Sequence, residues 1–203
     1  MLFTIRAAQA AQAPDTSKRK IEFSMTNYTL DSATGIATSK GAGSGTGGMG
    51  YLLVTNMPNL MGENKEFLYE ELQLHVRIKY LGKLDGNKNP FAFLENNSFK
   101  TRLWFTAGSI NQVQLTLQPK EGYTSNTLNV AASAEAEVWY DITYSYNKAS
   151  NLNKVTILKD GASWVEAETE WDTVFPSQLW IGHKTNTSNQ CMVDTEACWF
   201  KLK

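Results

Sequence analysis

Apolar and polar residues alternate along most of this chain with a period of two. The clearest run is Leu72, Leu74, Val76, Ile78 and Tyr80, set against Glu71, Gln73, His75, Arg77 and Lys79. A strand sends successive side chains to opposite faces, so this spacing predicts a strand with one buried and one wet face. Val113, Leu115 and Leu117 alternate in the same way with Gln112, Gln114, Thr116 and Gln118. Phe99, Leu103 and Phe105 are set against Lys100, Arg102 and Trp104, which places Trp104 and Arg102 on the polar face. Ile21, Phe23 and Met25 open the pattern, the stretch from Tyr28 to Thr38 holds a further strand, and another follows at Tyr51 to Thr55.

The last third carries the densest signals. Tyr140, Ile142, Tyr144 and Tyr146 share one face of a strand that Trp139 opens, and Lys154 to Lys159 is a second strand. Asp160-Gly161 follows it directly, a pair that suits a two-residue hairpin turn because both positions tolerate positive φ. The runs Ser163 to Asp172, Gln178 to Gly182 and Met192 to Leu202 are read as three more strands. Short strands at this spacing, with no convincing long helix, predict an all-β chain folded as an antiparallel two-sheet β-sandwich.

The order of signposts in this last third resembles that of laminin-G-like, concanavalin A-like jelly rolls. The matching positions are Trp139, Asp160-Gly161, Leu179-Trp180-Ile181-Gly182 and Val193-Asp194. Glu196 departs from the pattern, being charged where the family keeps an apolar residue. The resemblance implies a jelly roll. That architecture hosts lectins, glycosidases, adhesion domains and viral structural domains, so function has to be argued from a site.

Size and charge narrow the choices. At 203 residues the chain suits a single sandwich, read as an N-terminal arm over residues 1–20 and a domain over 21–203. Residues 6–13 are rich in Ala and Gln, Pro14 ends them, and a polar link follows. The segment resembles a signal peptide only loosely, because Arg6 interrupts its short apolar run, and it is read as part of the mature protein. The net charge of −1 provides no basic field for a phosphate backbone, so nucleic acid is not an expected partner. No stretch approaches a membrane span. Cys191 and Cys198, seven apart on one expected strand, would face opposite ways and are read as free thiols.

Several chemistries fail on spacing. Gly45, Gly47 and Gly50 have GxGxxG spacing, but a strand follows where a dinucleotide fingerprint needs a helix. Asp85 to Pro90 begins like a calcium loop, yet Pro90 stands where glycine is needed and Asn96 where a bidentate Glu belongs, so it reads as a turn. His75 on a polar strand face and His183 in an expected loop belong to no nucleophile motif and supply too few ligands for zinc. Glu166, Glu168 and Glu170 recur on one strand face, as the acids of some glycosidases do. Neighbours stand about 7 Å apart, wider than the roughly 5–5.5 Å of a retaining pair, and they read as a solvated face. Three glycosylation sequons begin at Asn27, Asn96 and Asn186.

The remaining signal is aromatic. Trp104 shares a polar face with Arg102, Trp164 is placed beside the three glutamates, and Tyr123 falls in a loop. Sugar rings stack on such rings while charged and amide groups hold their hydroxyls. The sequence reading is a non-enzymatic structural or adhesion protein of a larger assembly, a virus or phage particle. Its arm would contact other chains of an oligomer, and Arg102, Trp104, Tyr123 and Trp164 would be a glycan platform. No cofactor or metal is expected. The alternatives are a free, secreted lectin-like module and a glycoside hydrolase using Glu166 and Glu170.

Overall fold

A computed structural model describes residues 18–40, 50–81, 88–96, 98–106, 112–120, 125–184 and 190–203, and of 183 and 184 the backbone alone. The strands are β1 Arg19–Lys20, β2 Phe23–Thr26, β3 Tyr28–Asp31, β4 Ile36–Ser39, β5 Gly50–Val54, β6 Glu71–Leu81, β7 Lys88–Glu95 and β8 Ser98–Thr106. They continue as β9 Gln112–Leu117, β10 Asn126–Ala131, β11 Trp139–Asn147, β12 Leu152–Lys159, β13 Ala162–Glu170, β14 Gln178–Lys184, β15 Gln190–Asp194 and β16 Trp199–Leu202.

Among the described residues these form two antiparallel sheets. The nine-stranded sheet runs β13-β12-β11-β6-β15-β4-β3, with β16 also beside β6 and β1 beside β16. The seven-stranded sheet runs β10-β9-β8-β7-β14-β5-β2. The β6 strand is the spine of the first, pairing with β11 on one side and with β15 and then β16 on the other. The fold class read from alternation is the fold observed.

The period-two pattern explains the core. Leu72, Leu74, Val76 and Ile78 are fully buried in one cluster with Val113, Leu115 and Leu117 of the opposite sheet. Each such side chain contributes roughly 1.5–3 kcal/mol by leaving water. At one end Phe175 closes the core, its ring centroid 5.2 Å from that of Tyr146 and 5.2 Å from that of Phe93. Asp160 and Gly161 both take positive φ, 46° and 80°, and turn β12 into β13 as their sequence predicts.

The strand boundaries differ from the sequence reading in several places. Arg19 and Lys20 pair with Phe200 and Trp199, so the sandwich begins before Ile21 and these two residues are not part of a free arm. The expected strand between Tyr28 and Thr38 is a hairpin, β3 and β4, closed where the Asp31 carboxylate accepts from Ala33 N and Thr34 Oγ1. The expected final strand is broken into β15 and β16 because Asp194 Oδ1 accepts from the backbone of Glu196 and Ala197 and folds a turn there. That turn also removes the argument that Cys191 and Cys198 face apart. Neither is in a disulfide and both are buried, and burial pushes the Cys198 thiol up to about 12. Lastly, the backbone of His183 continues β14, opposite Asn89, where a loop was expected.

The Gly-rich stretch before Gly50, residues 85–87 of the expected turn and Tyr123 lie outside the described residues, as do residues 1–17 of the expected arm, whereas Lys88 to Pro90, read as the rest of that turn, open β7. Within the described residues no helix is long and apolar enough to cross a membrane, and no cluster of metal-ligating side chains is found.

Candidate functional site

The outer face of the seven-stranded sheet is not the wet face that alternation predicts. One row of side chains crosses it in register: Leu53, Trp180, Ala92, Arg102, Thr116 and Thr127. Leu179 and Ile181 point into the core, so the Trp180 side chain between them points out. There it covers Ala92 and Leu94, and Tyr51, Leu53 and Phe99 pack around it. Trp180 is only 7% exposed although it lies on an outside face. The cause is lateral. The Tyr51 ring stacks on it at 3.9 Å between centroids, and the Phe99 ring meets it edge-on at 6.3 Å.

Phe99 reaches this face through a β-bulge. Ala92 pairs with Arg102 but Leu94 pairs with Phe99, so β8 holds one residue more than β7 between those two rungs. An extra residue reverses the alternation beyond it. Phe99 therefore leaves the core side it was expected to share with Leu103 and Phe105, and lies on the same side as Arg102.

Arg102 lies near two aromatic rings. Its guanidinium carbon lies 3.6 Å from the Trp104 ring centroid and 5.2 Å from that of Phe99. Trp104 is fixed in turn, its Nε1 donating to Thr116 Oγ1 at 3.1 Å. Beside it runs an amide line in which Gln114 Nε2 donates to Gln112 Oε1 at 3.1 Å and to Asn129 Oδ1 at 2.7 Å. The result is a continuous band of Tyr51, Trp180, Phe99, Arg102 and Trp104, edged by amides. Where Phe99 and Leu94 end it, Lys100 and Glu95 line a cleft of about 540 Å³ at the end of the sandwich, with Asn59, Lys65 and Gln118.

Of the residues predicted for a glycan platform, the structure brings Arg102 and Trp104 together. Tyr123 lies outside the described residues. Trp164 is elsewhere. Ile157 pairs with Val165 and Leu158 with Ser163, so Trp164 is the extra residue of a bulge in β13. Its ring packs on Tyr140 at 5.2 Å and Phe105 at 5.9 Å, on the core side rather than beside the glutamates. Alternation missed Tyr51, Phe99 and Trp180. Of these, only Trp180 had a signal, its place between two apolar residues of a short strand.

The other sheet presents a charged outer face. Glu166, Glu168 and Glu170 stand exposed on its edge strand, with Glu166 paired to Lys154. His75 Nδ1 lies 3.0 Å from Thr143 Oγ1, and its Nε2 lies 3.7 Å from Asp141 Oδ1. Both oxygens of Asp141 already accept from Arg77 Nη1, each at 2.9 Å. His75 also stacks on Trp199 at 5.3 Å, and burial pushes its pKa below the ordinary value. These contacts join neighbouring strands across the flat face of the sheet.

No protein-family model and no curated protein matches the chain. Solved structures do. Lectin II from Ulex europaeus superposes with a TM-score of 0.62 at 12% identity, over 91% of this chain and 93% of the lectin. Peanut lectin gives 0.61 at 10% identity, over 95% of each chain. The binding domain of botulinum neurotoxin DC, solved in complex with SialylT, gives 0.60 at 14% identity over 89% of this chain. This chain spans 43% of that toxin chain. At these identities the likeness is one of fold, the jelly-roll sandwich.

Proposed function

We propose that this chain is a carbohydrate-recognition module that binds glycans on the outer face of its seven-stranded sheet. The observation that carries the reading is the band itself: aromatic rings, one arginine and a line of amides on a face that alternation would leave polar. Apolar sugar faces stack on rings such as Tyr51 and Trp104, and side-chain amides such as Gln114 and Asn129 hold the hydroxyls. That lectins and a toxin binding domain share the fold supports the reading, and favours it over a purely structural role in a virus or phage particle. Such a module works outside a cell or on a particle surface.

The test is a glycan array probed with the purified chain and with Tyr51→Ala and Trp104→Ala variants. Expected are a defined set of retained glycans and at least tenfold weaker retention by each variant, with native melting curves. A blank array would overturn the reading. Reduced incorporation of the same variants into a particle would then point to the band as a protein interface in an assembly.

A further inference from the structure

Resting on that reading, we propose that the ligand is an acidic glycan whose oxyanion, a carboxylate or a sulfate ester, is held by the guanidinium of Arg102. The Arg102 side chain makes no hydrogen bond and no ion pair among the described residues. Its Nε is buried without a partner. Withdrawing a charge from water without a partner is unfavourable, and two aromatic rings offset only part of that. Burial also pushes the guanidinium pKa down, which reports the same desolvation.

The molecule contains its own control. Arg77, on the outer face of the other sheet, also lies over an indole, 5.1 Å from the Trp139 ring centroid. It has acids to serve it, with Asp141 at 2.9 Å and Asp194 at 3.6 Å. Among the described residues no acid pairs with Arg102. The seven strands of its sheet carry one carboxylate, Glu95 at the end of β7, and Lys100 pairs with it at 3.7 Å.

An arginine built like Arg77 but without its acids is arranged for an oxyanion from outside. Trp104 lies against the guanidinium at 3.6 Å and Phe99 stands 5.2 Å from it, and contacts of this kind to ring faces leave the guanidinium's edge for two parallel N–H donors. Carboxylates and sulfates accept in that geometry, and a lysine ammonium does not reproduce it. Trp104 and, opposite it on the next strand, Gln114 are placed to take the rest of the sugar.

The experiment titrates the purified chain with lactose, sialyllactose and 3′-sulfolactose at low and high salt. The expected result is that at least one acidic sugar binds tenfold or more tighter than lactose and that salt narrows the gap. Whether the carboxylate or the sulfate leads identifies the natural group. Arg102→Gln should bring the acidic-to-neutral ratio near one, and Arg102→Lys should recover only part of it. Lys154→Gln, on the opposite sheet, should leave the ratio unchanged.

Equal binding of acidic and neutral sugars would overturn this proposal and leave the glycan reading standing. Binding of no sugar would overturn the reading itself. A preference that survives in natively folded Arg102→Gln, or that stays undiminished in Arg102→Lys, would place the anion elsewhere and overturn the assignment. If Arg102→Gln fails to fold, the wild-type ratio and Arg102→Lys still decide.

Discussion

Tyr51 and Trp180 stack with their planes within 4° of parallel, and the stack divides two roles between two rings. Trp180 is the inner member, covering Ala92 and Leu94, and Tyr51 is the more open one. Trp180→Ala should therefore cost about 3–5 kcal/mol of stability, as truncation of a buried large aromatic does. Tyr51→Ala should cost clearly less and weaken sugar binding instead. Urea unfolding of both variants checks this. Equal losses of stability would mean that Tyr51 is packing rather than a binding face.

Asn153 is a buried hub. Its Oδ1 accepts from Tyr144 Oη at 2.6 Å and from Thr173 Oγ1 at 3.0 Å. Its Nδ2 donates to the carbonyls of Asn151 and Trp171 at 3.1 and 2.8 Å. The side chain thereby ties β12 to the segment that carries Phe175 over the end of the core. Asn153→Ala leaves several buried groups unpaired, each costing about 1–3 kcal/mol. The expected loss is about 3–5 kcal/mol in urea unfolding. A loss under about 1 kcal/mol would show that water or neighbours replace the amide.

The glutamates of β13 should behave oppositely. They are exposed, and exposed ion pairs such as Glu166 with Lys154 contribute little. Changing Glu166, Glu168 and Glu170 together to Gln should move stability by no more than about 1 kcal/mol. Assays on glycoside substrates should find no activity that this triple change removes. Loss of a measured hydrolytic activity would restore the glycoside hydrolase alternative.

How far the sequence carried the fold depends on where alternation held. In β6 and β11 it is unbroken, and Leu72 to Tyr80 and Tyr140 to Tyr146 are buried as their spacing demands. It failed at bulges. One extra residue in β8 moved Phe99 out of the core, and one in β13 moved Trp164 toward it. A period-two pattern carries no mark of a bulge, because the extra residue is defined only by the partner strand. For the same reason Tyr51 was invisible as a site residue. Its neighbour Trp180 is remote in sequence and adjacent only through the β5–β14 pairing. Arg102 and Trp104 were legible because two residues of one strand face need no partner to define them. That Arg102 has no acid partner among the described residues was not legible, since it depends on what six other strands bring to the face.

His75 makes the fold sensitive to mild acid. Burial pushes its pKa below the ordinary 6.5, and the nearby Asp141 carboxylate opposes that only in part. Between the lowered folded value and 6.5 the unfolded chain binds more protons than the folded one. Stability therefore rises with pH through that window, and the contribution is lost as pH falls through it. The groups facing the ring are Asp141, Arg77, Lys18 and Asp194, and the two cations reinforce the lowering. Removing the imidazole should flatten this part of the pH dependence. His75→Gln should lose less stability than the wild type between pH 7.5 and 5.5, measured as the shift in urea midpoint. If wild type and variant shift in parallel, His75 titrates alike in both states and the acid sensitivity belongs to other groups.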